Sequence, residues 1–271
     1  MLGSLSEMAG NGTIGATNCA GCQFDLPDRA VHVWPVRTQA PSAVAERLEL
    51  LLGDDEKSCA AQFRFDRLRE SFVIARGVLR ILLGHYLKAS PISIQFKYGS
   101  RGKPALAAPA RMDFNVSHSG GFAVFAVTAS CEIGVDLEQI RPLQDMQSIA
   151  DRLFCSEEAA ELRSLPGNQR ERGFYLCWTR KEAYIKAIGD GLSAPLDGFC
   201  VTLQPSQAAR FVHIAHDTSA AEAWMLHDLQ LAPNYAAALA YHGTERPVAV
   251  SPIIDPVDLL SIPERRSLTC A

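Results

Sequence analysis

The chain has 271 residues, 48% of them hydrophobic, and its 26 basic and 30 acidic residues give a net charge of −4. This length allows one large domain or two moderate ones with a real core. The balanced charge does not indicate a nucleic-acid-binding protein. Apolar runs such as residues 122–128 are far shorter than the roughly 18 residues of a membrane span. We therefore expect a soluble cytoplasmic protein without nucleic-acid or membrane partners.

The start of the chain and the cysteines support two further expectations. The first residues lack the basic start and apolar stretch of a secretory signal, so we expect residues 1–27 to be an unstructured extension. Eight cysteines lie scattered in apolar surroundings, which is typical of reduced thiols in a cytosol. Cys19 and Cys22 form a CxxC pair, but no second pair follows at zinc spacing.

The hydrophobic periodicity predicts alternating strands and helices. The predicted helices span 41–52, 62–87, a segment from about 156, and 168–188, the last ending at Gly189 and Gly191. The predicted strands span 31–36, 92–98, 114–116, 122–128, 133–138, 199–203, 223–231 and 235–241. The helix at 62–87 has a predicted buried stripe of Leu68, Phe72, Ala75, Leu79 and Leu82.

The order of these elements predicts an α+β fold. Each half of the chain offers helices and strands, which favours two α+β lobes at 28–131 and 132–246. No residue-level repeat relates them. We expect residues 247–271, rich in proline and charge, to form a loosely attached tail.

Two acidic residues share one face of the predicted strand at 133–138. Alternate strand residues face the same way, so Asp136 and Glu138 lie opposite the apolar residues and beside Gly134. Carboxylates this close repel unless a cation lies between them, and their oxygens suit Mg²⁺ or Mn²⁺. The alternative is a solvated strand edge.

An acid and a base share one face of the predicted helix at 168–188. Trp178, Glu182 and Lys186 are spaced at i, i+4 and i+8. The same spacing is also consistent with a surface ion pair, and Thr179 with Glu182 is consistent with a capping box.

Residues 57–80 are basic within an acidic chain, with six basic and two acidic residues. Arg69, Arg76 and Arg80 form a stripe beside the predicted buried one. Guanidinium groups match phosphate oxygens, so this stripe is able to hold phosphates. The alternative is a solvated helix face.

Ser117 and His118 follow a predicted strand just before two glycines. Adjacent residues on an extended chain point in opposite directions, which argues against a hydrolase pair of nucleophile and base. We interpret His118 as a phosphate contact. The alternative is that His118 has a structural role.

Taken in order, five segments resemble motifs of the 4'-phosphopantetheinyl transferases of the surfactin-synthetase-activating class. The resemblance spans about residues 60–200 and depends on the order and spacing of the segments. They are 102–104 (GKP), 114–119 (FNVSHS), 133–138 (IGVDLE), 152–156 (RLFCS) and 178–192 (WTRKEAYIKAIGDGL).

This resemblance implies two lobes related by a pseudo-twofold axis, with the active site in the cleft between them. It implies that Asp136, Glu138 and Glu182 hold Mg²⁺ or Mn²⁺ with the diphosphate of coenzyme A, and that Lys186 lies beside that diphosphate. Positions resembling the family's phosphate contacts are Lys103, His118, Lys181 and Arg76. Further predicted coenzyme contacts are Ser117 and, from the stripe alone, Arg69 and Arg80.

The family implies transfer of the phosphopantetheine arm from coenzyme A to a serine of an apo acyl or peptidyl carrier protein, with release of 3',5'-ADP. Glu182 is then the candidate base, Lys186 assists the departing ADP, and Asp136 completes the catalytic set. Two lobes in one chain make a monomer sufficient. The alternatives are a metal-dependent phosphohydrolase and a coenzyme-A-binding module without catalysis; the full set of carboxylates with Lys186 argues against the module.

Overall fold

The computed structural model describes residues 13–14, 24–100, 102–129, 131–189, 195–215 and 217–260. Its helices are α1 (Ser42–Glu49), α2 (Asp54–Ala60), α3 (Asp66–Leu87), α4 (Met146–Leu153), α5 (Ser156–Ser164), α6 (Gly167–Ile188), α7 (Thr218–Glu222) and α8 (Pro256–Leu259). Its strands are β1 (Thr13–Ile14), β2 (Val31–Arg37), β3 (Phe96–Tyr98), β4 (Pro104–Leu106), β5 (Asp113–Ser119), β6 (Phe122–Thr128), β7 (Ile133–Gln139), β8 (Phe199–Val201), β9 (Phe211–Ile214), β10 (Trp224–Leu229), β11 (Tyr235–His242) and β12 (Val248–Val250). None of the described helices combines the length and apolar character needed to cross a membrane.

Two four-stranded sheets form two lobes, and the three strands that belong to each lobe share one topology. The N-terminal lobe has the strand order β12-β2-β6-β5, and the C-terminal lobe has the order β1-β10-β11-β7. In the N-terminal lobe, β6 pairs antiparallel with both β2 and β5. In the C-terminal lobe, β11 pairs antiparallel with both β7 and β10. The connection from β2 to β5 contains the 22-residue helix α3, and the connection from β7 to β10 contains the 22-residue helix α6. The predicted α+β fold with two similar lobes is therefore confirmed.

Three apolar layers hold the lobes together. Helix α3 covers one face of the N-terminal sheet, and α6 covers one face of the C-terminal sheet. The other faces of the two sheets meet in a third layer, which includes Val33, Val124, Val135, Leu137 and Leu239. Because burial of this shared layer is favourable only when both sheets are present, it fixes how the lobes lie against each other.

The chain ends cross between the lobes. Strand β12 pairs in parallel with β2 of the N-terminal lobe, and Val250 and Leu259 are buried there. The prediction of a loosely attached tail is therefore wrong for residues 248–259. Residues 261–271 lie outside the described residues.

The described residues near the start of the chain contribute to both lobes. Strand β1 pairs in parallel with β10, and Phe24 stacks on the ring of His85 with centroids 4.3 Å apart. The predicted unstructured extension is therefore wrong for these residues. Cys19 and Cys22 lie outside the described residues.

Two predicted elements differ in detail from the structure. Leu68, predicted to be buried, is 45% exposed, because the first turn of α3 extends past the core and residues 66–68 are all exposed. The predicted strand at 92–98 is a strand only at Phe96–Tyr98. It is preceded by a 3₁₀ turn at Pro91–Ser93, since proline has no N–H to donate to a strand ladder.

A disulfide between Cys155 and Cys200 joins the start of α5 to β8. The expectation of reduced thiols is wrong for this pair, while Cys59, Cys131 and Cys177 are free. A separation of 45 residues along the chain leaves no local pattern from which the pairing is predictable.

Gly134 allows α6 to lie directly on β7. A Cβ at this position would lie 2.0 Å from the carbonyl oxygen of Ala183 and 2.4 Å from the backbone nitrogen of Ala187. Backbone atoms cannot yield as a flexible side chain can, so only glycine permits this approach. The contact places the turns of α6 that carry the predicted acid and base over the acidic face of β7.

We expect Gly134→Ala to lower the free energy of unfolding by about 3 kcal/mol, the upper end for overpacking, because a helix backbone must move. Urea denaturation measures this change. Gly167→Ala is the matched control, since a Cβ at that position meets nothing within 4 Å. Equal stabilities of the two variants would show that α6 does not depend on Gly134.

Candidate active site

Six of the predicted site residues converge on one pocket where β5, β7 and α6 meet. The pocket has a volume of about 280 Å³ and is lined by Val116, Ser117, His118, Asp136, Glu138, Trp178, Glu182 and Lys186. All three predicted metal-binding carboxylates are in this set, together with three other predicted site residues. A strand and a distant helix thus present their charged groups to a common space.

Two of the carboxylates in this pocket, Glu182 and Glu138, have a raised pKa. Burial and the neighbouring Asp136 raise the pKa of Glu182 to about 7. Burial and Asp136 also raise the pKa of Glu138. Lys186 offsets part of this negative charge, because its Nζ lies 2.6 Å from Asp136 Oδ1.

Two carboxylate oxygens in the pocket have no partner. Asp136 Oδ2 and Glu182 Oε1 are buried and make no hydrogen bond within the part of the chain that the structure describes. Buried polar atoms normally have a partner, and an unpaired one is costly. Carboxylate oxygens that line one pocket are hard donors of the kind that a divalent cation such as Mg²⁺ takes.

Side chains of β5 bind the edge of β7 across the boundary between the lobes. The two strands belong to different sheets, and every second β7 amide donates to a β5 side chain. The pairs are Val135 N to Asn115 Oδ1 (2.9 Å), Leu137 N to Ser117 Oγ (3.2 Å) and Gln139 N to Ser119 Oγ (3.1 Å). These bonds, called here the β5–β7 ladder, satisfy edge amides that would otherwise be unpaired.

Ser117 is part of the charged network of the pocket. Its hydroxyl donates to Asp136 Oδ1 at 2.9 Å and accepts from Lys186 Nζ at 2.8 Å. In this structure Ser117 therefore binds the neighbouring acid and base, and its predicted contact with coenzyme A stays a prediction.

A second cavity of about 560 Å³ adjoins the first at His118, which lines both. Its wall includes Arg67 and Ser71 of α3 and Arg141 beyond β7. The ring of His118 reaches solvent, yet nearby protein displaces enough water to lower its pKa, and Lys186 lowers it further.

Arg67 and Arg141 are not among the predicted site residues. A signal for Arg67 exists in the sequence, since it lies four residues before Ser71 and therefore shares its face of α3. Arg141 follows β7 in a loop and has no periodic neighbour that singles it out.

Lys181 points away from the pocket. Its fully buried Nζ lies 2.8 Å from Glu158 Oε2 and donates to the carbonyls of Leu196 and Phe199. Neighbouring residues of an α-helix diverge by about 100°, so Lys181 leaves α6 on a different side from Glu182. The structure contradicts the predicted phosphate contact of Lys181. The side chain of Lys181 instead stabilises the interior of the C-terminal lobe.

Lys103 caps the end of α6. Its Nζ donates to the carbonyls of Lys186 and Ala187 at that end and to the carbonyl of Ile133 at the start of β7. A cation is favourable there because the C-terminal carbonyls of a helix carry partial negative charge. The structure therefore contradicts the predicted phosphate contact of Lys103.

The predicted arginine stripe faces the carboxylates of α1 and α2. The ion pairs are Arg69 with Glu49, Arg76 with Glu56 and Arg80 with Glu56. Arg80 is only 3% exposed and also donates to two backbone carbonyls. The described residues that line the two cavities do not include these three arginines. Their predicted phosphate contacts are therefore contradicted, because acidic residues earlier in the chain already bind them.

Comparisons with known proteins identify the family. Residues 132–240 match the model described as the 4'-phosphopantetheinyl transferase superfamily, and residues 40–130 match that of the 4'-phosphopantetheinyl transferase N-terminal region. The chain belongs to the 4'-phosphopantetheinyl transferase superfamily.

Two relatives with sequence identities of 39% and 30% agree with this assignment. The chain is 39% identical to 4'-phosphopantetheinyl transferase HetI of Nostoc sp., over 79% of this chain and 88% of the relative. It is 30% identical to 4'-phosphopantetheinyl transferase psf-1 of Bacillus pumilus, over 64% of this chain and 73% of the relative. Among solved structures, holo-[acyl-carrier-protein] synthase of Thermotoga maritima overlaps 43% of this chain and 66% of its own, at 16% identity and a TM-score of 0.34.

We expect Glu182→Gln to stabilise the protein at pH 8 and not at pH 5 when divalent cations are removed by a chelator. Folding raises the pKa of Glu182 from 4.5 to about 7, so ionising this group costs stability as the pH rises through that window. The gain at pH 8 should be about 1–2 kcal/mol, after allowing for solvent screening.

Chemical denaturation at the two pH values measures this difference. Glu46→Gln is the control, because Glu46 is exposed on α1. A Glu182→Gln effect that is the same at both pH values would contradict the raised pKa.

Proposed function

We propose that this protein transfers the 4'-phosphopantetheine group from coenzyme A to a serine of an apo acyl or peptidyl carrier protein, with release of 3',5'-ADP and in a Mg²⁺-dependent reaction. The observation that carries the proposal is the convergence of Asp136, Glu138, Glu182 and Lys186 on one pocket in a chain of this family.

The proposed metal ligands are Asp136, Glu138 and Glu182. The unpaired oxygens Asp136 Oδ2 and Glu182 Oε1 support this assignment, since a cation would satisfy both. When bound, Mg²⁺ supplies positive charge that offsets the charge developing on the diphosphate oxygens.

Glu182 is the proposed general base. A serine hydroxyl is a weak nucleophile, so its proton must leave as its oxygen attacks the β-phosphorus that carries the pantetheine arm. Burial and Asp136 raise the pKa of Glu182 to about 7 in the metal-free protein. A bound cation would lower this pKa and keep the carboxylate ionised, the form that accepts a proton. The serine belongs to the carrier protein, so no serine of this chain needs to react.

Lys186 is the proposed group that assists the departing 3',5'-ADP. Its ammonium is held 2.6 Å from Asp136 Oδ1 and 2.8 Å from Ser117 Oγ. These contacts aim the ammonium at the pocket. From there it is able to stabilise the leaving phosphate oxygen and to donate a proton to it.

The larger cavity is the proposed site of the adenosine end of coenzyme A. Its volume of about 560 Å³ lies within the usual range for a ligand of this size. Arg67 and Arg141 supply positive charge for the phosphate at the 3' position, since guanidinium groups pair well with phosphate oxygens. His118 lies between the two cavities, where it is able to contact either phosphate group.

The proposed active form is a monomer, because the residues that line the pocket come from both lobes of one chain. The division into lobes near residues 129–132 follows the end of β6 and the start of β7. A cytoplasmic location and the lack of nucleic-acid and membrane partners stay predictions from composition.

Mass spectrometry of an apo carrier protein tests this function. Incubation with the enzyme, coenzyme A and Mg²⁺ should add one phosphopantetheine arm to the carrier, and Asp136→Ala should abolish the addition. Asp151→Ala is the control, because Asp151 contacts Gln147 and Arg163 at exposed sites and does not line the pocket. Hydrolysis of coenzyme A without labelling of the carrier would favour a phosphohydrolase, and near-normal transfer by Asp136→Ala would reject the metal assignment.

We expect Lys186→Ala to lower kcat about 100-fold, because it removes a positioned acid, with a smaller effect on the KM for coenzyme A. Steady-state kinetics of carrier modification measures both constants. Lys88→Ala, at an exposed site after α3, should leave them unchanged. An unaltered turnover in Lys186→Ala would remove this residue from the mechanism.

A further inference from the structure

Ser119, the last residue of β5, is placed between the two lobes by two hydrogen bonds. Its Oγ accepts from the amide of Gln139 at 3.1 Å and donates to Glu138 Oε2 at 2.8 Å. A hydroxyl has a single hydrogen to donate. Because the amide occupies an acceptor position on the oxygen, that hydrogen is free to point at the carboxylate.

The same arrangement occurs one step earlier on both strands. Ser117 accepts from a β7 amide and donates to Asp136 Oδ1 at 2.9 Å. Each serine thus binds a β7 amide and the carboxylate of the preceding β7 residue. Since strand side chains repeat every two residues, the spacing of the serines on β5 matches that of the carboxylates on β7.

The turn that follows Ser119 is also fixed by the opposite lobe. Gly120 and Gly121 have φ values of 58° and 99°, a conformation that favours glycine. The hydroxyl of Tyr235 in β11 donates to the carbonyl of Gly120 at 2.7 Å. A Cβ at residue 120 would lie 2.4 Å from Gln139 Oε1. The serine therefore lies on a turn that leaves it little freedom to move.

We propose that Ser119 is a positioning residue that holds the Glu138 carboxylate in the orientation in which it binds the divalent cation. This inference depends on the proposed function, which assigns a cation to the pocket, and it adds a residue that does not itself bind the metal. Glu138 is half-buried, and its long side chain would otherwise rotate among several conformations. Fixing it in advance removes an entropic cost from metal binding.

Loss of a residue that orients a metal ligand typically weakens metal binding by 10- to 100-fold. We therefore expect Ser119→Ala to weaken binding of Mn²⁺ about tenfold in the absence of coenzyme A. Ser119→Thr keeps the hydroxyl and should bind Mn²⁺ close to the wild-type affinity. Electron paramagnetic resonance of free Mn²⁺, titrated with the full-length enzyme, measures these affinities directly.

Ser42→Ala is the matched control. Ser42 donates to Glu70 Oε1 at 2.8 Å at an exposed site, so the variant loses a serine–glutamate bond of the same length between residues that do not line the acidic pocket. Its Mn²⁺ affinity should be unchanged. Thermal unfolding without metal verifies that each variant is folded, and Ser119→Cys, which keeps the size but donates weakly, is a second probe with the same expected loss.

Glu138→Gln separates this inference from the proposed function. If Glu138→Gln weakens Mn²⁺ binding and Ser119→Ala and Ser119→Cys do not, the role of Ser119 is overturned and the metal site remains. If Glu138→Gln binds Mn²⁺ like the wild type, the proposed metal site is overturned together with the inference. Weakened Mn²⁺ binding in Ser119→Ala, with wild-type binding in Ser119→Thr and Ser42→Ala, supports the positioning role of Ser119.

Discussion

The β5–β7 ladder is the interaction on which the arrangement of the pocket depends. Direct backbone pairing would bring the two edge strands to about 4.8 Å, and the two sheets would merge into one. Polar side chains from Asn115, Ser117 and Ser119 instead occupy the gap and accept hydrogen bonds from the amides of β7. The lobes are thereby held in one register, with room for a cavity above the acidic face of β7.

Helix α6 has two charged sides with different tasks. On one side Arg180 pairs with Asp228 and Lys181 pairs with Glu158, and both cations are fully buried. Such pairs are costly to break because the partner would be left as an uncompensated buried charge. On the other side one oxygen of Glu182 has no hydrogen-bond partner among the described residues. The ion pairs of Arg180 and Lys181 anchor the helix to the rest of the lobe. This anchoring keeps Glu182 in a fixed position in the pocket.

Local periodicity predicts which charged residues share a face, and the resemblance to the family predicts that these faces meet, but neither predicts the surroundings of the pocket. The two-residue step of β7 placed Asp136 and Glu138 on one face, and the four-residue step of α6 aligned Glu182 with Lys186; both relations hold in the structure. Lys181 and Arg80 were misassigned because their partners, Glu158 and Glu56, lie more than twenty residues away in the sequence. A basic residue is equally able to bind a ligand or a distant carboxylate, and periodicity does not distinguish these cases. Only the packing of α5 against α6 and of α2 against α3 decides between them.

The exchange of edge strands between the lobes has a consequence for biosynthesis. The N-terminal sheet receives its outer strand, Val248–Val250, from beyond the whole C-terminal lobe. While the ribosome is still translating, that sheet has an open edge along β2, and the edge closes only after the later lobe has emerged. Nascent chains therefore expose a hydrogen-bonding strand for most of their synthesis, which makes this edge a natural target for chaperones and for premature association between neighbouring polypeptides.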